Sequence, residues 1–194
     1  MARALLLTGE KKVGKTTGLR HIVDRIGAEH FTGFFATERR VAGRRTGFQI
    51  EMLDGRSGPL ASIDSASDMR VGRVLSDGRK KYGVDLDFLD KIAVPELRSV
   101  LAEGRPERAL LVDEIGPMQL YSSSFKQVIL DALAGSNLLL GSIMLPSEPW
   151  VDDLKRRGDV ETFLLTSQNR QSMVEMMALY LEQHLLTQPA DRVS

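Results

Sequence analysis

The sequence predicts an α/β fold: a mainly parallel sheet flanked by helices, with an antiparallel hairpin added to it. Three observations carry that expectation. Short, wholly apolar runs alternate with segments whose apolar residues recur at helical spacing. The first such run leads through a glycine-containing loop directly into a helical pattern. One stretch alternates strictly and ends on Asp54-Gly55, a tight-turn signal. At 194 residues and 42% hydrophobic, the chain is long enough for one buried core. We expect one domain over residues 1–186 and a flexible tail over 187–194.

The elements follow in order. Ala4 to Leu7 is an apolar strand of the kind buried on both faces. Thr16 to Ile26 is a helix, with Leu19, Ile22, Val23 and Ile26 on one face and Gly27 as its stop. Gly33 to Thr37 is the next strand. Arg44 to Leu53 alternates, with Phe48, Ile50 and Met52 on one face, and Pro59 to Ile63 returns as its neighbour. From Asp85 to Glu103 the spacing is helical. Pro95 interrupts it, at about 3 kcal/mol in a helix interior, so a kink or two short helices is expected. Strands follow at Ala109 to Val112, Asn137 to Met144 and Phe163 to Leu165. Helices follow at Ser122 to Ala134 and Arg170 to Leu186.

Composition excludes several classes. Lys plus Arg and Asp plus Glu are both 26, so the chain is neutral, unlike a protein that coats nucleic acid. It has no cysteine, hence no disulfide or thiolate metal site. His21, His30 and His184 are not at metal-ligand spacings. No run reaches membrane-spanning length, and the N-terminal apolar run is too short for a signal-peptide core. The expectation is a soluble cytoplasmic protein with no membrane partner.

Chemistry is concentrated in two stretches. The first, TGEKKVGKTT (Thr8 to Thr17), fits G-x-x-x-x-G-K-[ST] between a strand and a helix, the context of a phosphate-binding P-loop. Gly9 and Gly14 let the backbone approach phosphates, and successive N–H groups plus the helix N-terminus form an anion site. Gly9, Glu10, Lys11, Lys12, Val13, Gly14, Lys15, Thr16 and Thr17 are therefore nucleotide-binding candidates. Lys15 would bridge the β- and γ-phosphates, and the Thr16 hydroxyl would ligand Mg²⁺. In the second stretch, Asp113 ends an apolar strand, where a carboxylate reaches Mg²⁺ directly or through water. Glu114 follows it and can polarise a water behind the γ-phosphate, which favours hydrolysis over transfer. Glu114 and Lys15 are the catalytic candidates; Thr16 and Asp113 are the metal ligands. Ser142, near a strand end, has two readings: a γ-phosphate sensor, or a hydroxyl satisfied by backbone.

These residues carry a family likeness. TGEKKVGKTT, GFFATE (Gly33 to Glu38), RTGFQI (Arg45 to Ile50), YGVDLDFLDKIAVPEL (Tyr82 to Leu97), LLVDEIGPMQLYSSSF (Leu110 to Phe125) and Asn169-Arg170 together resemble the small P-loop nucleoside-triphosphatase family, broad-specificity NTPases of the cancer-related type. The resemblance spans nearly the whole chain. It implies a RecA-like core and Mg²⁺-dependent hydrolysis of triphosphates to diphosphates. It also implies that Leu110, Leu111, Val112, Asp113, Glu114, Ile115, Gly116 and Pro117 share the nucleotide site with Gly9 to Thr16. The chain departs from the family pattern at Lys11-Lys12, where Pro-Gly is usual. Pro117, Gln119 and Gln171 stand where Lys, Glu and Asp are frequent.

Other residues keep two readings each. Arg39, Arg40, Arg44 and Arg45 form a basic cluster on the hairpin: a solvated face, or contacts to a nucleotide, an acceptor or RNA. Arg156 or Arg157 is a candidate arginine finger, and Arg170 either reaches the site or pairs with an acid. Trp150 and Tyr82 either pack or stack on a base. The substrates expected are ATP, GTP, CTP and UTP, with Mg²⁺ as cofactor. A nucleotide or nucleoside kinase and an NTP-gated RNA- or protein-binding module stand as alternatives, so nucleic acid is left open. The base preference and the oligomeric state are not written in the sequence.

Overall fold

A computed structural model describes residues 2–186. The expected tail therefore lies outside the described residues. Nine strands form a single sheet in the order β5-β6-β4-β3-β2-β7-β8-β1-β9. The strands are β1 (Ala4–Thr8), β2 (Phe31–Val41), β3 (Arg44–Met52), β4 (Ser57–Ser62), β5 (Arg70–Val74), β6 (Lys80–Val84), β7 (Ala109–Ile115), β8 (Leu139–Ile143) and β9 (Val160–Leu164). Strands β2, β7, β8, β1 and β9 pair in parallel. Strands β3, β4, β6 and β5 extend the sheet antiparallel from β2.

The parallel half works because its inner strands β1, β7 and β8 are buried on both sides, while β9 closes the edge with most of its residues exposed. Along β1, Ala4 and Leu6 enter one core while Leu5 and Leu7 enter the other. Leu110 and Val112 against Ala109 and Leu111 divide the same way in β7. Helices α1 (Lys15–Ile26) and α5 (Arg170–Leu185) cover one face. Helices α2 (Val94–Glu103), α3 (Ser123–Ala134) and α4 (Pro149–Lys155) cover the other.

Several expectations are corrected. The strand expected at Gly33–Thr37 runs from Phe31 to Val41, because its far half pairs with β3 as an exposed hairpin rather than as core. β5 and β6 were not expected at all: β5 is largely exposed and charge-rich, so no apolar run marks it. α4 is equally unannounced, with only Val151 and Leu154 buried along its short length. The interruption at Pro95 takes the form of a π-helical turn, Leu89–Ala93, feeding α2 with the proline in its first turn. Ser122 is not helical but caps α3, accepting the Phe125 N–H at 2.9 Å. No helix among the described residues is long and apolar enough to cross a membrane.

Candidate nucleotide site

The site lies at the C-terminal ends of β1, β7 and β8. There the P-loop turns from β1 into α1. Gly14 precedes the helix at φ 105°, in the left-handed region. Among the described residues no side chain caps α1, and its first turn carries no acid. Its leading N–H groups and its dipole thus meet no acid from the helix's own first turn. Lys15 Nζ donates back to the carbonyls of Gly9 (2.9 Å) and Glu10 (3.2 Å), which folds the side chain over the loop. Glu10, Lys11, Lys12 and Thr17 are exposed, and Val13 packs against the α1–α5 core.

The two expected metal ligands come together across 97 residues of sequence. Thr16 Oγ1 donates to Asp113 Oδ2 at 2.6 Å. The other oxygen of Asp113 accepts a short hydrogen bond from the buried Ser142 hydroxyl. The Ser142 hydroxyl is therefore satisfied by a carboxylate rather than by backbone. Burial pushes the Asp113 carboxyl above its ordinary range, while Ser142, Thr16, Lys15 and Arg20 pull it down. Glu114 follows through a cis peptide bond. It is also pushed up, first by burial and then by the Asp113 charge, against the pull of Lys15 and Lys11. Its carboxylate sits over Gly116, where a Cβ would come within 2.9 Å of Oε2. No described residue is seen to hydrogen-bond that carboxylate. Leu110, Leu111, Val112 and Ile115 are core side chains, so what they contribute is the placement of the strand end. Pro117 is exposed.

Arg170 is brought to the loop. Its Nη1 lies 3.5 Å from the Val13 carbonyl, and its side chain covers Gly14, where a Cβ would meet Cδ at 2.9 Å. Asn169 fixes the approach: its amide bonds the Thr166 N–H and the Leu164 carbonyl. Arg156 and Arg157 are not brought here. Arg157 pairs with Asp159, whose carbonyl accepts the N–H groups of Arg3 and Ala4 at the opposite end of β1. Arg156 pairs with Asp153. Trp150 packs on the core, and Tyr82 is buried beneath neighbouring side chains.

Sequence reading missed Arg20. Its guanidinium lies 4.1 Å above the Phe35 ring, pairs with Glu51 at 2.9 Å and directs charge toward Asp113. The available signal was its place one turn after Thr16, on the same helix face. It also missed Thr8, whose buried hydroxyl at the mouth of the loop has no hydrogen-bond partner among the described residues.

The model of the NTPase family matches residues 4–178. The chain belongs to the NTPase family. The family is one of nucleoside-triphosphatases, and the fold is that of P-loop NTPases. A cancer-related nucleoside-triphosphatase homolog from Bos taurus is 33% identical over 94% of this chain and 98% of its own. The crystal structure of THEP1 from Aquifex aeolicus superposes with a TM-score of 0.80 at 29% identity, covering 92% of this chain and 99% of that one. The solution structure of a human cancer-related nucleoside triphosphatase gives 0.75 at 31%, covering 94% and 98%. NTPases with P-loops generally work with a divalent metal. Among the described residues, no group of three or more His, Cys, Asp and Glu side chains forms a metal cage. The candidate donors here are one carboxylate and one hydroxyl.

Proposed function

We propose that the chain hydrolyses nucleoside 5′-triphosphates to diphosphates and phosphate, with Mg²⁺ and with broad base specificity. The observation that carries this reading is the pairing of Thr16 with Asp113 at 2.6 Å, with Glu114 next in the chain. A hydroxyl and a buried carboxylate are hard oxygen donors suited to Mg²⁺, which keeps most of its shell as water and phosphate. When bound, Mg²⁺ supplies charge neutralisation at the β- and γ-phosphates.

In this reading the residues divide the work. Lys15 and the leading N–H groups of α1 bind the β- and γ-phosphate oxygens. Ser142 keeps Asp113 oriented. Glu114 holds the attacking water and takes its proton as the water oxygen bonds the γ-phosphorus. The bond from that phosphorus to the bridging oxygen breaks, and its electron pair leaves with the diphosphate. Arg170 stabilises the loop and the charge near it. Broad specificity follows from a site whose assigned groups all serve phosphate, metal or water, with none reading a base edge.

The test is phosphate release from ATP, GTP, CTP and UTP, each with Mg²⁺ and with EDTA, and with and without candidate phosphate acceptors. Release from all four that EDTA abolishes is the expected result. Turnover only in the presence of an acceptor would replace hydrolysis by phosphoryl transfer.

A further inference from the structure

Beside the P-loop lies a cleft that the proposed hydrolysis does not use. It has a volume of about 370 Å³ and is lined by Lys12, Arg40, Arg44, Arg45, Lys81 and Tyr82. Lys12 comes from the middle of the P-loop, the arginines from the β2–β3 hairpin, and Lys81 and Tyr82 from β6. Five cations therefore converge from three segments far apart in sequence.

Their compensation is incomplete. Glu38 is the acid paired with them, bonding Arg40 and Arg45 at 2.5 Å each. Lys12, Arg44 and Lys81 hold no ion pair among the described residues. The imbalance extends beyond the cleft. Residues 37–82 carry ten Lys and Arg against six Asp and Glu, whereas the whole chain has 26 of each. Like charges held together raise the local potential and draw an anion.

The cleft offers charge and N–H donors but no open ring. Tyr82 is only 3% exposed. Its ring is packed by Phe48 at 5.3 Å, by Lys81 at 5.1 Å and by Arg45 at 5.7 Å, and its hydroxyl accepts from Arg45 Nε. Base stacking has no platform here. Forked guanidinium donors and point-charge ammonium groups suit phosphate oxygens. The volume is at the lower end of small-ligand sites.

We propose that this cleft is a second oxyanion site, separate from the P-loop, for a small ligand bearing a diphosphate group. That group is either free or carried on a second nucleotide. Lys12 joins the two sites, because it belongs to the loop and lines the cleft. That this site is a second one rests on the P-loop holding the triphosphate.

The experiment uses the full chain saturated with Mg²⁺ and a non-hydrolysable triphosphate analogue whose fluorescent form reports P-loop binding. Labelled pyrophosphate is then added by equilibrium dialysis. The expected result is about one pyrophosphate bound per chain. In the double variant Arg44→Gln, Lys81→Gln, about tenfold is lost per charge-assisted contact removed. The double variant's P-loop affinity should stay within about twofold. No pyrophosphate bound beside the analogue overturns the proposal. So does undiminished binding in the variant, or equal loss of the fluorescent nucleotide, which would merge cleft and P-loop into one site. Failure of wild type to bind the fluorescent nucleotide would instead sink the P-loop reading. A nucleoside diphosphate that displaces pyrophosphate more tightly assigns the ligand to a nucleotide, and equal or weaker displacement assigns it to the free anion. A single-stranded RNA that outcompetes both would overturn the small-ligand assignment.

Discussion

Replacing Glu114 by Gln isolates the proposed base. The exchange keeps the shape of the side chain and breaks no hydrogen bond to a described residue, so the fold should tolerate it. A positioned general base contributes about 10²–10⁴ in rate, so turnover should fall by about 3–5 kcal/mol of barrier while nucleotide affinity changes little. The pH dependence has a definite sign. Burial and the adjacent Asp113 charge raise the Glu114 carboxyl, so the base is lost as pH falls through that raised value. In the variant the like charge beside Asp113 is gone. Any remaining acid limb, then set by Asp113, should move to lower pH. Stability moves in the opposite sense to activity. A carboxyl raised on folding binds more protons in the folded chain, so stability declines as pH rises from the ordinary carboxylate range through the raised value. Glu114→Gln removes that penalty and should resist urea better at pH 7 than wild type does. Phosphate release across pH and urea unfolding at pH 7 are the assays. Turnover within about threefold of wild type, or an unmoved acid limb, would refute the role of Glu114.

Four further outcomes are expected. Thr16→Ala should raise the Mg²⁺ needed for half-maximal phosphate release by about tenfold or more, whereas Thr16→Ser, which keeps the hydroxyl, should stay near wild type. Arg170→Ala should lower kcat/KM by about tenfold with stability changed by less than about 0.5 kcal/mol in urea. The same steady-state assay should find Arg156→Gln and Arg157→Gln within twofold of wild type, about the noise of a distant surface change. Gly33→Ala should cost about 3 kcal/mol or more in urea unfolding. Gly33 sits in β2 at φ 150°, and a Cβ there would fall 1.9 Å from the Leu111 carbonyl oxygen of β7.

What could be read from the chain depended on how each element hides its backbone. The inner parallel strands β1 and β7 are buried on both faces, so Leu5-Leu6-Leu7 and Leu110-Leu111-Val112 stand out as apolar runs. The far edge of the sheet faces water, and there apolar periodicity is weak: Arg73 and Val74 of β5 are both exposed. The turn signal Asp77-Gly78 was present but lacked flanking apolar strands to frame it. α4 has only two buried residues to mark it, and its start is held by Glu148, which accepts the Val151 N–H, and by Pro149 in its first turn. In the site, local order was legible because a P-loop is a continuous segment. The partners of Ser142, Arg170 and Lys12 were not, since each meets its neighbour across the sheet rather than along the chain.

Asp113 explains why those cross-sheet partners are what they are. β8 lies between β7 and β1 in the sheet, so an acid on β7 must reach the loop after β1 across an intervening strand. A bulky residue on β8 would block that span. The chain has Gly141, where a Cβ would fall 2.2 Å from the Val112 carbonyl oxygen, and then the small hydroxyl of Ser142. Ser142 and Thr16 thereby grip the two oxygens of one carboxylate from two different elements, and the acid end of β7 is fixed relative to the P-loop. The loop's two unusual lysines divide around this centre. Lys11 acts electrostatically on Glu114, whereas Lys12 lines the cationic cleft. Lys12 adopts φ 67° without being glycine. A glycine there would hold the same backbone at no steric cost. The lysine's charge, not its backbone, is therefore what distinguishes this loop from one with glycine at the same position.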